Sequence, residues 1–331
     1  MEGIDAAIRR RDWFLRRQDL LRLGYTDAEI RAALARHTIF RVRQGWFSVA
    51  DAPPSAVHAV RVGGRLTGVA ALESYGLRVP RRGLLDIAVP AEASRLRSPV
   101  DRSVPLRDAE LVGVRIHWID RARREHNSSW RVSLDDALLL VVSTESRDVA
   151  VACASAVMRF KGWSRGRIEA VFARAPQRTH AWCALVSDRD EAHGETIVRL
   201  GYMDAGIWCS SQPVVSDGRR LDLRVGPNTY VEVDGAQHDP DWTGENVSSW
   251  SQDIRTAAAV TIAGGRVLHF GYEMITHHWE MCLAATREAV AADVELEARR
   301  LRDPALPRAV AALRRGWEEG VVRPLPKTKE M

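Results

Sequence analysis

The spacing of apolar residues near the start of the chain predicts short helices. Residues 11–23 carry apolar side chains at helical intervals and are followed by Gly24, a residue type that commonly ends helices. Thr26 and Glu29 have the spacing of a capping box, in which each side chain accepts a hydrogen bond from a backbone N–H of the first turn. We therefore expect a further helix that runs from this box to about residue 36.

Residues 39–49 follow these helices with a different pattern. Apolar and polar side chains alternate on both sides of Gln44 and Gly45, which predicts a tight β-hairpin. Helices followed by a basic hairpin are the order of a winged helix, which places one helix in the DNA major groove and the hairpin on the backbone. An ordinary solvated basic face is the alternative interpretation. The DNA-contact candidates are the basic and polar side chains Arg31, Arg36, Arg41, Arg43 and Gln44.

The rest of the chain divides into a middle region and a C-terminal region. Two prolines at residues 53 and 54 open the middle region, residues 53–187, where the pattern predicts strands at 84–89 and 112–118, a helix capped by Ser133 and a helix at 148–160. Residues 188–300 follow, and a basic tail spans residues 301–331. The C-terminal pattern predicts a helix (191–200), a strand (212–215), a hairpin (219–225 and 230–234), a helix (251–263), a strand (266–270) and a long helix (275–300).

The hairpin in the C-terminal region brings acidic residues together. Leu221, Leu223 and Val225 alternate with charged residues, so we expect these three to share one apolar face. A three-residue turn at residues 226–228 then sets Asp222 opposite Glu232, with Asp234 on the same charged face. Like charges across strands are destabilising, so such a cluster favours a bound cation, and oxygen ligands favour magnesium, manganese or calcium over zinc. An acidic patch without a cation is the alternative.

The residues around this hairpin resemble a known family. Gly218–Asp222, Val231–His238, Asp253 and Gly264–Phe270 are similar to the very-short-patch-repair-like endonucleases of the restriction-endonuclease-like PD-(D/E)XK superfamily. The resemblance covers roughly residues 188–290. It implies a C-terminal α/β domain with a mixed central sheet and a Mg²⁺- or Mn²⁺-dependent DNA endonuclease activity.

The resemblance also implies roles for individual residues. A helical Glu, a strand Asp and a second-strand Glu bind Mg²⁺ in that fold. Other family positions lie beside the metal, including a histidine that could act as a general base or assist the leaving group. The catalytic candidates are Glu195, Asp222, Glu232, Asp234, His238 and Asp253, and the metal ligands among them are Asp222, Glu232 and Asp234. For His238 the alternative is a loop histidine bonded to a backbone carbonyl.

The sequence departs from the family pattern at two positions. Asp234 stands where the superfamily has a lysine, an exchange that relatives with Asp-Gly-x-x-His generally share. The family's arginine falls near Thr256, with Arg255 one residue away. The second departure favours a domain that has lost turnover.

The N-terminal half resembles a second family. Leu20–Val49, with its capped helix and its Arg-x-x-x-Gly-x-Phe hairpin, is similar to the winged helix of type IV abortive-infection antitoxins and related actinobacterial regulators. Thr67–Leu77 continues the likeness into the middle region, which is therefore expected to be an antitoxin-like α/β domain. This resemblance implies DNA binding as an autorepressor. The fold class expected for the whole chain is α/β multidomain, with a winged helix-turn-helix over residues 1–52.

Charge is distributed unevenly along the chain. The net charge is +5, but residues 188–295 carry eight basic residues, all arginine, against eighteen acidic ones. Basic segments can neutralise DNA phosphates, whereas an acidic block repels a polyanion unless cations occupy its carboxylates. The charge pattern therefore agrees with a cation site in the C-terminal region.

Composition limits the other classes of protein. Apolar runs are shorter than the roughly eighteen residues of a membrane span, and residues 1–17 lack the apolar core of a signal peptide. The four cysteines show neither metal-ligand spacing nor a disulfide framework, so we expect buried thiols, a cytoplasmic location and no membrane association.

Two functions agree with these patterns. The first is a DNA endonuclease that a winged helix targets to double-stranded DNA. The second is a sequence-specific repressor or antitoxin-like regulator whose nuclease-like domain is inactive and serves DNA binding or dimerisation. A homodimer and a cognate toxin or other partner protein are further candidate assemblies.

Overall fold

The computed structural model describes residues 2–80, 83–119, 130–215, 218–234 and 247–301, together with residues 308, 312 and 315. Helices and small sheets are mixed throughout these ranges, so the general expectation of an α/β multidomain protein is confirmed. None of the helices in the described ranges has both the length and the apolar content needed to cross a bilayer.

Two compact units make up the chain. Unit 1 comprises Met1–Cys153 and Gly166–His180, and unit 2 comprises Ala154–Arg165 and Ala181–Met331.

Unit 1 begins with three helices and a three-stranded antiparallel sheet. In chain order the elements are α1 (Ile4–Arg10), β1 (Leu15–Arg16), α2 (Arg17–Arg22), α3 (Asp27–Ala35), β2 (Phe40–Arg43) and β3 (Trp46–Ser48). The strand order is β1-β3-β2, so the β2–β3 hairpin predicted around Gln44 and Gly45 is confirmed. Ile8, Leu20, Ile30 and Phe47 belong to the buried core that joins the helices to the sheet.

The start of helix α3 confirms the capping box. The backbone N–H of Glu29 donates to Thr26 Oγ1 at 3.2 Å, and the backbone N–H of Thr26 donates to Glu29 Oε2 at 2.7 Å. Both bonds satisfy donors that the first helical turn leaves without an intrahelical partner. The helix therefore begins where the sequence predicts, and it ends at the expected cap residue, Arg36.

The helix predicted over residues 11–23 is wrong in its first half. Asp12 and Trp13 have φ angles of 63° and 74°, in the left-handed region that helical residues do not adopt. The Ser48 hydroxyl donates to the Trp13 carbonyl oxygen at 2.8 Å and holds this turn against the sheet. Residues 15–16 consequently pair with β3, and helix α2 occupies only the second half of the predicted range.

A second sheet and its helices complete unit 1. The elements are α4 (Pro54–Val62), β4 (Arg65–Leu66), α5 (Gly68–Ser74), β5 (Leu85–Pro90), a 3-10 helix (Glu110–Val112), β6 (Val114–Ile119), α6 (Leu134–Thr144), α7 (Arg147–Lys161), α8 (Arg165–Arg174) and a longer 3-10 segment (Gln177–Leu185). Helices α7 and α8 and the longer 3-10 segment contribute residues to both units. The strand order is β4-β5-β6, with β5 parallel to β6. The two strands and the Ser133 cap predicted here are confirmed, because Ser133 Oγ accepts from the Asp136 N–H at 3.2 Å.

Unit 2 is built on a four-stranded mixed sheet. Its main elements are α9 (His193–Asp204), β7 (Ser210–Ser211), β8 (Leu223–Arg224), β9 (Thr229–Asp234), α10 (Val247–Ile262), β10 (Arg266–Gly271), α11 (Tyr272–His277) and α12 (Trp279–Leu301). The strand order is β10-β9-β8-β7, with β10 parallel to β9 and the other pairs antiparallel. Tyr202 of α9, Val231 of β9 and Val290 of α12 meet in a buried core.

Three predicted elements of unit 2 are wrong in their bounds, and one of them is the first hairpin arm, predicted over residues 219–225 but paired as a strand only at Leu223–Arg224. The strand predicted at 212–215 is interrupted because Gln212 has a φ of 56°, and the strand proper is β7 at residues 210–211. The single long helix predicted from residue 275 to residue 300 is two helices, because the chain leaves helical geometry at His278, where φ is −132°.

Leu221 lies on a different face from the one that the sequence predicts. Leu223 belongs to the core that includes helices α9 and α12, whereas Leu221 packs with Val215 and with Val260 of α10. The paired strand begins only at Leu223, so strict alternation does not extend back to Leu221. The first arm of the hairpin therefore anchors two separate apolar clusters.

Candidate functional site

Strands β8 and β9 bring two acidic side chains face to face. Leu223 pairs with Val231 in antiparallel register, and continuing that register by one residue sets Asp222 opposite Glu232. The two carboxyl groups hydrogen-bond to each other, and the Val233 N–H donates to Asp222 Oδ2 at 2.8 Å. The register predicted from the three-residue turn is confirmed.

The surroundings of Asp222 disfavour its charged form. Burial raises the pKa of Asp222, and the nearby charges of Glu191 and Asp234 raise it further. The hydrogen bonds from the Val233 N–H and with Glu232 act in the opposite direction without cancelling the rise. A carboxyl pair of this kind shares a proton unless a cation neutralises it.

Glu195 brings a third carboxyl group towards this pair. It lies in the first turn of helix α9 with only 3% of its surface exposed. Its Oε2 atom accepts hydrogen bonds from the Glu191 N–H at 2.9 Å and from Gln212 Nε2 at 3.1 Å. Burial, followed by the charge of Asp222, raises the pKa of Glu195 to about 8.

Close packing between α9 and β9 fixes the position of Glu195. Gly194 lies so close to the sheet that a Cβ atom there would come within 2.8 Å of Val233 Cγ1. Only a residue without a side chain allows this approach, which sets the first turn of α9 directly on the strand that carries Glu232. This contact fixes the distance between the first turn of α9 and strand β9.

Asp234 lies at the end of β9, where its side chain is about half exposed. His269 of the parallel strand β10 pairs with Glu232 in register, and its Nδ1 atom lies 3.8 Å from Asp234 Oδ2. Sequence reasoning assigned no role to His269. The available signal was its position in the predicted strand, but only the parallel pairing of β10 with β9 places it beside the acids.

A buried carboxylate holds the turn that sets the register. Asp293 of helix α12 is fully buried, and its Oδ2 atom accepts from the Asn228 N–H at 3.0 Å and from Thr229 Oγ1 at 2.5 Å. Arg266 Nε lies 3.4 Å from the other carboxylate oxygen. No local pattern predicts this anchor, because 65 residues separate Asp293 from Asn228.

The side chains of two predicted catalytic residues, His238 and Asp253, lie outside the part of the chain that the structure describes. His238 lies wholly outside it, whereas the backbone of Asp253 belongs to helix α10. Thr256, near the position of the family's arginine, is buried and accepts a hydrogen bond from Arg219 Nη1 at 2.6 Å. Arg255 is exposed.

The carboxylates fit a hard divalent cation in their chemistry and charge. Asp222 and Glu232 are oxygen donors in mutual contact, and a cation would relieve the repulsion among the buried acids. Among the described residues, however, no group of three or more His, Cys, Asp or Glu side chains is arranged to hold a metal ion. Mg²⁺ commonly takes one or two protein carboxylates and completes its shell with water and phosphate oxygens, so the pair suits that ion.

The predicted DNA-contact residues lie on helix α3 and the β2–β3 hairpin of unit 1. Arg31 and Arg36 are exposed on α3 and just after it, and Gln44 is exposed at the tip of the hairpin. Arg41 is also exposed, with its guanidinium 5.8 Å from the centre of the Phe47 ring. These four side chains are accessible to a large ligand.

Arg43 differs from the other four candidates. The β2–β3 register shifts between Arg41 and Arg43, and such a bulge re-aims the side chains that follow it. The Arg43 guanidinium packs against Gly63, where a Cβ atom would lie only 2.1 Å from Nη1. Burial lowers the pKa of Arg43, and the charge of Arg97 adds to this effect. The side chain is therefore held partly inside unit 1.

Comparison with known proteins gives little similarity. No family model matches the chain, and no curated protein is a significant match. A crystal structure of the RV2827C protein from Mycobacterium tuberculosis matches with a TM-score of 0.30 and 14% identity, over 69% of this chain and 83% of that chain. Similarity at this level carries no argument about fold or function.

Proposed function

We propose that this protein is a divalent-metal-dependent DNA endonuclease that unit 1 brings to double-stranded DNA. The observation that carries the proposal is the contact between Asp222 and Glu232 on paired strands, with Glu195 buried beside them. A helical Glu, a strand Asp and a second-strand Glu are the set that the resemblance to PD-(D/E)XK nucleases implies.

The raised pKa values of Asp222 and Glu195 support a bound cation at these acidic residues. Burial raises the pKa of both Asp222 and Glu195, and neighbouring acids add to the rise, as Asp222 does for Glu195. Burial without compensation is unfavourable for charged groups, so such a cluster is usually retained for a purpose. A bound divalent ion would favour the ionised forms of Asp222 and Glu195.

Asp222 and Glu232 would hold the ion, and Asp234 would lie at its exposed side. When bound, the ion supplies Lewis-acid activation of water and of the scissile phosphodiester. Asp222 is oriented for this role by the Val233 N–H. Glu195, held by Gln212 and the Glu191 N–H, would add negative charge near the pair.

Several features of unit 1 support DNA binding. The helices α1–α3 with a β1-β3-β2 sheet and a basic hairpin agree with the winged helix expected from the sequence. The exposed groups on α3 and at the hairpin tip suit a helix in the major groove and a wing on the backbone. Residues 1–50 carry ten basic residues against six acidic ones, which favours a polyanion.

Cleavage of a supercoiled plasmid in Mg²⁺ or Mn²⁺ tests the nuclease. We expect nicking by the wild type, its loss in EDTA, and a reduction of at least about 100-fold in Asp222→Asn, as for removal of a group that holds an activating ion. Glu280→Gln, an exposed acid on α12, is the matched control and should cleave like the wild type. Nicking that survives Asp222→Asn would place the active centre elsewhere, and wild-type protein without metal-dependent nicking would refute the proposal.

A sequence-specific repressor or antitoxin-like regulator is the second candidate function. One observation favours it: Thr256, which accepts a hydrogen bond from Arg219, stands near the family's arginine position. A gel shift in EDTA with the region upstream of the protein's own gene tests this function. Tight, sequence-selective binding without any cleavage would support the regulator, and equal binding to unrelated duplexes would count against it.

A further inference from the structure

A second basic surface of unit 1 lies apart from the residues proposed for groove contact. A surface cleft of about 410 Å³ is lined by four arginines, Arg11, Arg16, Arg22 and Arg65, and by two aspartates, Asp12 and Asp19. Four positive and two negative groups leave a net charge of +2 around one concave site. None of these residues belongs to the groove-contact set on α3 and the hairpin.

One of the two aspartates is already satisfied within the protein. Asp19 Oδ1 accepts from Arg22 Nη1 at 3.2 Å, and its Oδ2 atom accepts from the Arg16 backbone N–H at 3.3 Å. Within the described part of the chain, the side chains of Arg11 and Arg16 form no ion pair. Arg11 and Arg16 therefore offer the cleft two guanidinium groups whose charge no ion pair within the described residues neutralises.

The backbone and an aromatic ring shape one wall of the cleft. Arg16 stacks over Trp46, with its guanidinium carbon 4.7 Å from the ring centre. Stacking occupies the flat face of a guanidinium and leaves its N–H groups, which lie in the plane, to donate elsewhere. The left-handed turn at Asp12 and Trp13 follows α1 and fixes where the chain leaves Arg11. Strained turns of this kind often mark binding sites.

The cleft is continuous with the hairpin proposed as the wing. Arg16 pairs with Trp46 in the sheet, and the Arg17 N–H donates to the Gly45 carbonyl oxygen at 2.9 Å. A duplex that contacts the hairpin tip at Gln44 would continue past this side of the sheet. A free nucleotide would have no need of that continuity, so the position favours a polymer.

We propose that this arginine cleft binds phosphate groups of the DNA backbone and extends the footprint of unit 1 beyond helix α3 and the hairpin. The inference rests on the DNA binding of the proposed function and not on cleavage. The contacts would be independent of base sequence, because guanidinium groups in the cleft meet phosphates rather than base edges. They would set affinity and its dependence on salt.

Fluorescence anisotropy with labelled duplex DNA, in EDTA and over a series of salt concentrations, tests the cleft. The test variant is Arg11→Gln with Arg16→Gln in the full chain, the two cleft arginines that form no ion pair with any described residue. The matched control is Arg95→Gln with Arg102→Gln, two exposed arginines of unit 1 that do not line the cleft. Thermal melts of all proteins establish that each variant folds. Inorganic pyrophosphate, titrated by calorimetry, is the probe for a free phosphate ligand.

We expect the slope of log Kd against log salt to fall by about 2 in the test variant, since each phosphate contact contributes about 0.9. The loss of affinity should be the same for unrelated duplex sequences, and the control should keep the wild-type slope. A wild-type slope in the test variant would refute phosphate binding by the cleft but would not bear on DNA binding by the rest of unit 1. If the wild type binds pyrophosphate but no duplex, both the DNA assignment of the cleft and the DNA binding of the proposed function are refuted.

Discussion

The buried carboxyl group of Glu195 makes the stability of unit 2 depend on pH in a definite direction. Its pKa moves from an ordinary 4.5 to about 8 in the folded protein, because burial and the charge of Asp222 disfavour the carboxylate. A folded-state pKa above the unfolded value means that folding favours the protonated form. The contribution is therefore fully present below pH 4.5 and is lost as the pH rises through 8.

The size of this effect follows from the two pKa values. One pKa unit corresponds to about 1.36 kcal/mol, so the full change is about 5 kcal/mol, and about 3 kcal/mol of it falls between pH 5.5 and pH 8. Glu195→Gln removes the titration but keeps an oxygen to accept from the Glu191 N–H. Between pH 5.5 and pH 8, the free energy of unfolding should therefore fall by about 3 kcal/mol less in the variant than in the wild type.

Urea unfolding at pH 5.5 and pH 8, in EDTA and followed by tryptophan fluorescence, measures the difference. Glu280→Gln, an exposed acid, should follow the wild type at both pH values. Asp222→Asn should reduce the pH dependence partly, because it removes the second-largest cause of the raised pKa. Equal changes in the wild type and in Glu195→Gln between the two pH values would refute the assignment of a raised pKa to Glu195.

Three further substitutions test the local structure by the same urea assay. Thr26→Ala removes the side-chain cap of α3 and should cost about 1 kcal/mol, and no loss would show that the Glu29 N–H finds another acceptor. Tyr202→Phe removes a buried 2.8 Å hydrogen bond with Thr286 Oγ1 and should also cost about 1 kcal/mol, so an unchanged midpoint would contradict that bond. Asp293→Ala leaves the Asn228 N–H and the Thr229 hydroxyl without their acceptor and should cost about 3 kcal/mol of unfolding free energy. A cost below about 1 kcal/mol would show that the hairpin turn is stable without Asp293.

The sequence predicted those features that depend on neighbours along the chain. The cap of α3 needs only Thr26 and Glu29, three residues apart, and both hydrogen bonds are present. The pairing of Asp222 with Glu232 needs only strand periodicity and the length of a turn, and that register is also present. Local rules suffice where the partners are close in sequence.

Features that depend on distant partners could not be predicted in this way. The turn at Asp12 and Trp13 overrides helical spacing because Ser48, 35 residues away, binds the Trp13 carbonyl oxygen. His269 lies beside Glu232 only because β10 runs parallel to β9, and apolar periodicity does not set the direction of a strand. In each case the deciding contact is tertiary, so no pattern in a short window contains it.

The turn at Gly226–Asn228 has a consequence for how this protein can change over time. Inserting a single residue there would shift every later position of the second arm by one step, so that a valine would replace Glu232 opposite Asp222. The same shift would turn the apolar side of that arm outward. Homologues that keep this chemistry should therefore tolerate exchanges of residue type in the turn far better than any insertion or deletion.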